Sequence, residues 1–238
     1  MSSFKNLSQK GMFWKAAVAL VFATVLAVTL VGCGALDSST KNASNNSNNP
    51  TESVPIVADA NKKEVKYLAQ VNGTYFTQGT SHGIAYKGGT EGGKAILTGL
   101  GDEKDLYQSL VDCGFNAGNN LAEADMNVTT GDGKTIEGDQ LEITIEWDGQ
   151  GAMPIEKCFK PTKLDAKTAD WRFGGNLERF KVKNTGCVLC LNSCATGIVS
   201  DAAWPCNTAT ANKTLFTGDE SVLPADGTKV IITFKAKK

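Results

Sequence analysis

Apolar and polar positions divide the chain into three regimes. Ala16 to Leu30 is an uninterrupted apolar run broken only by Thr24 and Thr29, and Ala35 to about Ala60 then offers almost nothing apolar to bury. From about Lys62 onward, short patterned segments return. Val65 to Phe76 and His82 to Tyr86 read as strands, broken by Asn72-Gly73, a strong hairpin dipeptide, and by Gly79 and Gly83. Lys94 to Thr98 reads as a further short strand. Asp102 can cap a helix running to about Cys113, with Leu106, Leu110 and Val111 on its apolar face and Gly114 as its stop. Leu141-Glu142-Ile143-Thr144-Ile145-Glu146-Trp147 alternates as a half-buried strand does, and Val230 to Phe234 supplies a closing one. Many strands with few short helices predict a single α+β domain over residues 61–238 rather than a doubly wound fold.

The first two regimes set an address. Lys5, Lys10 and Lys15 precede the apolar run with no acid among them, which is the layout of a secretory signal over residues 1–32. The run is shorter than the roughly 20 residues a membrane-spanning helix needs. Leu30-Val31-Gly32-Cys33 resembles the lipobox of bacterial lipoproteins, with cleavage before Cys33 and lipid on its sulfur. Residues 33–60, rich in Ser and Asn, are then a disordered tether. The expected location is the cell envelope, outside the cytoplasm, with the membrane as a partner through the lipid on Cys33.

Removing the three signal lysines takes the formal charge from −1 to −4. The basic residues are scattered apart from a Lys-rich C-terminus, so no nucleic acid partner is expected. The two arginines, Arg172 and Arg179, both lie in Trp171-Arg172-Phe173-Gly174-Gly175-Asn176-Leu177-Glu178-Arg179-Phe180. Such clustering marks a place where a planar fork matters, either an anion site or a structural ion pair with a carboxylate such as Glu178 or Asp170. Asp102 to Asp105 and Glu123 to Asp125 read as exposed helix ends, Gly131 to Lys134 as a hairpin turn, and Gly88-Gly89 with Gly92-Gly93 as a loop rather than a phosphate cradle.

The chemistry concentrates in Asn184-Thr185-Gly186-Cys187-Val188-Leu189-Cys190-Leu191-Asn192-Ser193-Cys194-Ala195-Thr196-Gly197. If Asn184 or Thr185 caps a short helix, steps of three and four residues place Cys187, Cys190 and Cys194 on one face, with Cys187 in the first turn where the helix dipole favours a thiolate. Three soft ligands on one face suit a metal centre or a reactive pair with a third thiol.

These residues, with His82-Gly83, Gly118-Asn119-Asn120-Leu121, Arg172 to Glu178 and the block from Asn184 through Pro205, resemble the bacterial YdjY-domain family over about residues 60–238. The resemblance implies an iron–sulfur or other metal-binding role centred on Cys187, Cys190 and Cys194; electron transfer or redox sensing, with a redox partner protein, is the expected use.

Set beside the cluster run C-x2-C-x2-C-x3-C-P, the chain has Asn184 in place of the first cysteine and Ala195 in place of the proline. A fourth ligand must come from afar, with Cys206 and His82, the single histidine, as candidates. His82 reads first as a turn residue satisfied by backbone. The signal holds no twin arginine, so the chain crosses the membrane unfolded and no preassembled cluster survives, whereas zinc on three cysteines and one further Cys or His can bind after export. Two alternatives stay open. Cys113, Cys158, Cys187, Cys190, Cys194 and Cys206 could form three disulfides in 15 connectivities, giving a stapled binding module. Cys187 and Cys190 could act as a thiol–disulfide pair resolved by Cys194. No serine, aspartate and histidine constellation is present in motif form, so a stand-alone enzyme is not expected.

Overall fold

A computed structural model describes residues 48–238; the signal, Cys33 and most of the tether lie outside the described residues. Twelve strands run in chain order: β1 Ile56–Asp59, β2 Glu64–Val71, β3 His82–Tyr86, β4 Leu97–Gly99, β5 Leu141–Trp147, β6 Gln150–Pro154, β7 Phe159–Pro161, β8 Trp171–Phe173, β9 Cys187–Cys190, β10 Val199–Asp201, β11 Phe216–Gly218 and β12 Lys229–Ala236. The helices are α1 Glu103–Asp112, α2 Glu123–Met126, α3 Leu177–Lys183 and α4 Thr208–Ala211. The domain is strand-rich with few short helices, as the patterning predicts. No helix among the described residues is long and apolar enough to cross a membrane.

Ten strands form one mixed sheet in the order β6-β5-β12-β2-β4-β3-β9-β10-β8, with β1 added on β2. The pairs β3 with β4 and β9 with β10 are parallel, and the others antiparallel. A second sheet pairs β7 with β11. Alternation carries the register: Leu141, Ile143 and Ile145 of β5 are buried, while Glu142 between them is exposed. β12 lies between β5 and β2 with Val230, Ile232, Thr233 and Phe234 buried, so both its neighbours and its faces are occupied.

Asp102 caps α1 as expected, accepting a hydrogen bond from the Lys104 amide at 2.8 Å. Cys113 is the C-cap, and Gly114 takes the left-handed conformation (φ +79°) that ends the helix. Leu106 and Leu110 bury their side chains where α1 packs against β1, β2 and β9. Truncating either leucine to alanine costs about 2–5 kcal/mol at a site so enclosed.

Several local expectations are corrected. Residues 56–59, assigned by composition to the tether, form β1, because Ile56 to Asp59 pair antiparallel with Tyr67 to Glu64. Asn72-Gly73 makes no hairpin. Asn72 Oδ1 accepts the Thr74 amide and starts a 3-10 turn over Gly73–Phe76, and β4 lies between β2 and β3 in the sheet. Gly131 to Lys134 joins no pair of strands. Instead Gly133 packs so closely on Asn207 that a Cβ there would lie 2.3 Å from its Oδ1. The helix start at Asp102 to Asp105 is not wholly exposed, since Glu103 is fully buried.

Candidate metal centre

The cysteine-bearing segment is a strand, not a helix. β9 lies between β3, antiparallel, and β10, parallel, in the interior of the sheet. On a regular strand, residues three apart point to opposite faces. Here the β3–β9 register slips twice: Cys187 stands opposite Ala85, Leu189 opposite Ile84, and Cys190 opposite His82. An extra residue in each strand, Val188 and Gly83, therefore resets the alternation, as bulges do. The result puts Cys187, Cys190 and His82 together, their ligand atoms all within 4.8 Å of one another. Gly83 lets the strands approach closely, because a Cβ there would lie 2.9 Å from a Leu189 methyl, which would have to shift.

His82 Nδ1 stands 3.5 Å from Cys187 Sγ, across 105 residues of sequence. Its other nitrogen, Nε2, faces Glu91 at 3.7 Å, and Glu91 pairs with Lys94 at 2.9 Å. Burial lowers the imidazole's proton affinity, against the pull of Cys194 and Glu91, so the ring is held neutral as a ligand must be.

Cys194 comes from the loop after β9, outside the 4.8 Å donor group but near enough for its thiol to interact with those of Cys187 and Cys190. The loop is tied on every side. Asn176, left-handed at φ +43° and buried, donates to the Cys194 carbonyl at 2.8 Å. The Ser193 amide donates to the Trp204 carbonyl at 2.8 Å, and Ser193 Oγ accepts the Ile136 amide at 2.9 Å. The Thr196 amide lies 3.4 Å and its hydroxyl 3.3 Å from Cys194 Sγ. Gly197 closes the loop where nothing larger fits, because a Cβ would sit 2.7 Å from Ser200 Oγ and 2.9 Å from Cys190 Sγ.

These contacts split the thiols electrostatically. Hydrogen bonds from Cys187 and then Cys190 bring Cys194 well below the ordinary thiol range, overcoming burial. Cys190 is pushed well above it by its bond to Cys187, its bond to Cys194 and burial. For Cys187 the bond from Cys190 acts downward, but the bond to Cys194 and burial outweigh it and raise the thiol. Of the three, Cys194 is the thiol whose proton is held least tightly, and a metal ion binding all three would release protons. Cys187 lies on a strand, so the expected helix-dipole activation does not arise there, and the thiol whose pKa is lowered is Cys194.

Cys206 is not brought into this group. It lines a cavity of about 110 Å³ together with His82, Cys190, Cys194, Asn192 and Met126. Its thiol donates to the Asp125 carbonyl at 2.9 Å. Asn192 Oδ1 is buried beside that cavity with no hydrogen-bond partner. All six cysteines among the described residues are free thiols, with Cys113 and Cys158 buried in the main core.

Arg172 forks onto Asp170 through Nε to Oδ1 at 2.8 Å and Nη2 to Oδ2 at 3.0 Å. Arg179 reaches Glu123 at 2.7 Å rather than Glu178 or Asp170. Of the two readings of these arginines, the geometry matches the structural ion pair. Sequence reasoning ranked His82 as a turn residue, and only the β3–β9 pairing reveals its place beside Cys187.

The YdjY domain model matches residues 56–235. Uncharacterized protein YdjY of Escherichia coli (strain K12) is 35% identical over 187 residues, covering 78% of this chain and 80% of that protein. No solved structure matches.

Proposed function

The chain belongs to the YdjY domain family, and on that footing we propose that it is a lipid-anchored protein of the cell envelope that holds a single metal ion on His82, Cys187, Cys190 and Cys194. The observation that carries the reading is the 3.5 Å spacing of His82 Nδ1 and Cys187 Sγ within a donor group of His82, Cys187 and Cys190 no wider than 4.8 Å. Cys194, from the adjoining loop and lining the same cavity as His82 and Cys190, would close on the ion as the fourth ligand. Around a tetrahedral zinc with Zn–S of about 2.3 Å and Zn–N of about 2.05 Å, sulfur and nitrogen lie roughly 3.5 Å apart and two sulfurs roughly 3.8 Å apart. In an iron–sulfur cluster each cysteine binds a different iron, which spreads the sulfurs wider. The spacing therefore favours one ion, and three thiolates with one imidazole are a zinc donor set.

When bound, zinc would supply a closed tetrahedral centre whose thiolates release it on oxidation, which suits redox sensing. The protein's own residues prepare for that. Burial favours the neutral imidazole of His82, Glu91 faces its outer nitrogen, and the lowered pKa of Cys194 makes it the first of the three thiols to ionise. Anchoring through Cys33 rests on the Leu30-Val31-Gly32-Cys33 run. A second reading, thiol–disulfide exchange, is favoured by the opposed pKa shifts of three neighbouring free thiols, lowered at Cys194 and raised at Cys187 and Cys190.

Cobalt(II) titration of the reduced full chain under anaerobic conditions tests the reading. The expected result is one cobalt per chain with thiolate charge-transfer and tetrahedral ligand-field bands. Charge-transfer intensity should fall in Cys194→Ser, and the ligand-field bands should shift in His82→Ala. Failure to take up cobalt, with two of the three thiols instead forming a reversible disulfide, would replace the metal reading with the exchange reading.

A further inference from the structure

A second cavity, of about 210 Å³, lies beyond Leu191, the residue that follows Cys190. Its aromatic walls come from Trp171, Trp204, Phe216 and Phe159, and Trp204 and Phe216 meet edge to face at 5.4 Å. Two carboxylates line it, Asp201 and Glu156. Asp201 is only 5% exposed. Its Oδ1 accepts the Asp170 and Ala203 amides, both at 2.9 Å, and Oδ2 takes part in neither bond. Glu156 is held by the Trp171 indole N–H at 3.4 Å.

The cavity already receives a cation from the chain itself. Lys167, on the irregular stretch between β7 and β8, places Nζ 4.4 Å from the centroid of the Trp204 ring and donates to the Ala203 carbonyl at 3.0 Å. Aromatic faces attract cations electrostatically, and most strongly where water is excluded. A buried carboxylate with a spare oxygen adds to that attraction. Lys167 is exposed and sits on a segment with no regular hydrogen-bonding ladder, so it can swing out without breaking a strand. A cavity of roughly 150 Å³ suffices for a benzene-sized ligand, so 210 Å³ accommodates a small branched ammonium group.

We propose that this cavity is a binding site for a small organic cation, an alkylammonium or quaternary ammonium group, which displaces Lys167 from Trp204 and pairs with Asp201 and Glu156. The site shares no ligand residue with the metal centre, so the two readings stand or fall separately.

The test is a calorimetric titration of the full chain with choline and, in parallel, with its uncharged isostere 3,3-dimethylbutan-1-ol. Choline should bind saturably with Kd on the order of 1 mM, and the neutral isostere at least about tenfold more weakly. Lys167→Gln, an exposed change that leaves the core untouched, should tighten choline several-fold by removing the internal competitor. Asp201→Asn should weaken it, with bound metal unchanged in both variants. Equal binding of the two ligands, no binding by the wild type and Lys167→Gln alike, or weaker choline binding in Lys167→Gln would each overturn the proposal.

Discussion

Asp201 gives the fold a built-in sensitivity to pH that a single substitution should erase. Its carboxyl ends β10 beneath Trp171 and Trp204, and burial pushes its pKa from 3.8 up to about 6, against the opposing pull of the Asp170 and Ala203 amides. Because the folded value lies above the unfolded one, the native state binds the proton more tightly. Stability from this group is therefore fully present below pH 3.8 and declines as pH rises toward and through 6. A displacement of about two units corresponds to roughly 3 kcal/mol at 1.36 kcal/mol per unit. Asp201→Asn keeps an Oδ1 acceptor for both amides and removes the charge. Urea unfolding of wild type and variant between pH 4 and 8, followed by circular dichroism, isolates the group from other carboxylates in the difference. The variant should be the more stable by up to about 3 kcal/mol at pH 8, with the gap shrinking steadily toward pH 4. A gap independent of pH, or a variant weaker than wild type at pH 8, would refute the reasoning.

Two further outcomes follow from buried contacts. Glu103 is fully buried with neither carboxylate oxygen hydrogen-bonded, and burial raises its pKa, so Glu103→Gln should stabilise the protein by about 1–3 kcal/mol at pH 7 and by less near pH 4 in the same unfolding assay. Gly197→Ala would drive a methyl against Cys190 Sγ and Ser200 Oγ, and should lower cobalt affinity at least about tenfold while leaving the far-ultraviolet circular dichroism in place; unchanged affinity would show that Cys190 is not held where a ligand must be.

How much of this was legible in the chain differs by element. β5 and α1 are written locally, the first in strict alternation from Leu141 to Trp147 and the second in the Asp102 cap and Gly114 stop. The cysteine trio is not. Steps of three and four residues signal one helical face, and the same convergence arises here from a strand whose bulges at Val188 and Gly83 undo its alternation. Bulges depend on the partner strand, so no window of β9 alone discloses them. His82 meets Cys187 only through pairing across 105 residues, and its Thr80-Ser81-His82-Gly83 setting imitates a plain turn. Glu103 looked solvated because acids at a helix start usually are, yet α1 packs its first turn inward. For the two arginines the sequence offers Glu178 or Asp170 as nearby carboxylates; Arg172 takes Asp170, two residues away, while Glu123, the partner of Arg179, lies 56 residues away where no local reading reaches.

Whether His82, Cys187, Cys190 and Cys194 hold one metal ion decides what this protein does. Elemental mass spectrometry on the protein purified without oxygen from its own host tests it most directly. One zinc per chain, lost in Cys187→Ser, is the predicted result; about four irons per chain, or a metal-free protein with intact fold, would contradict the claim.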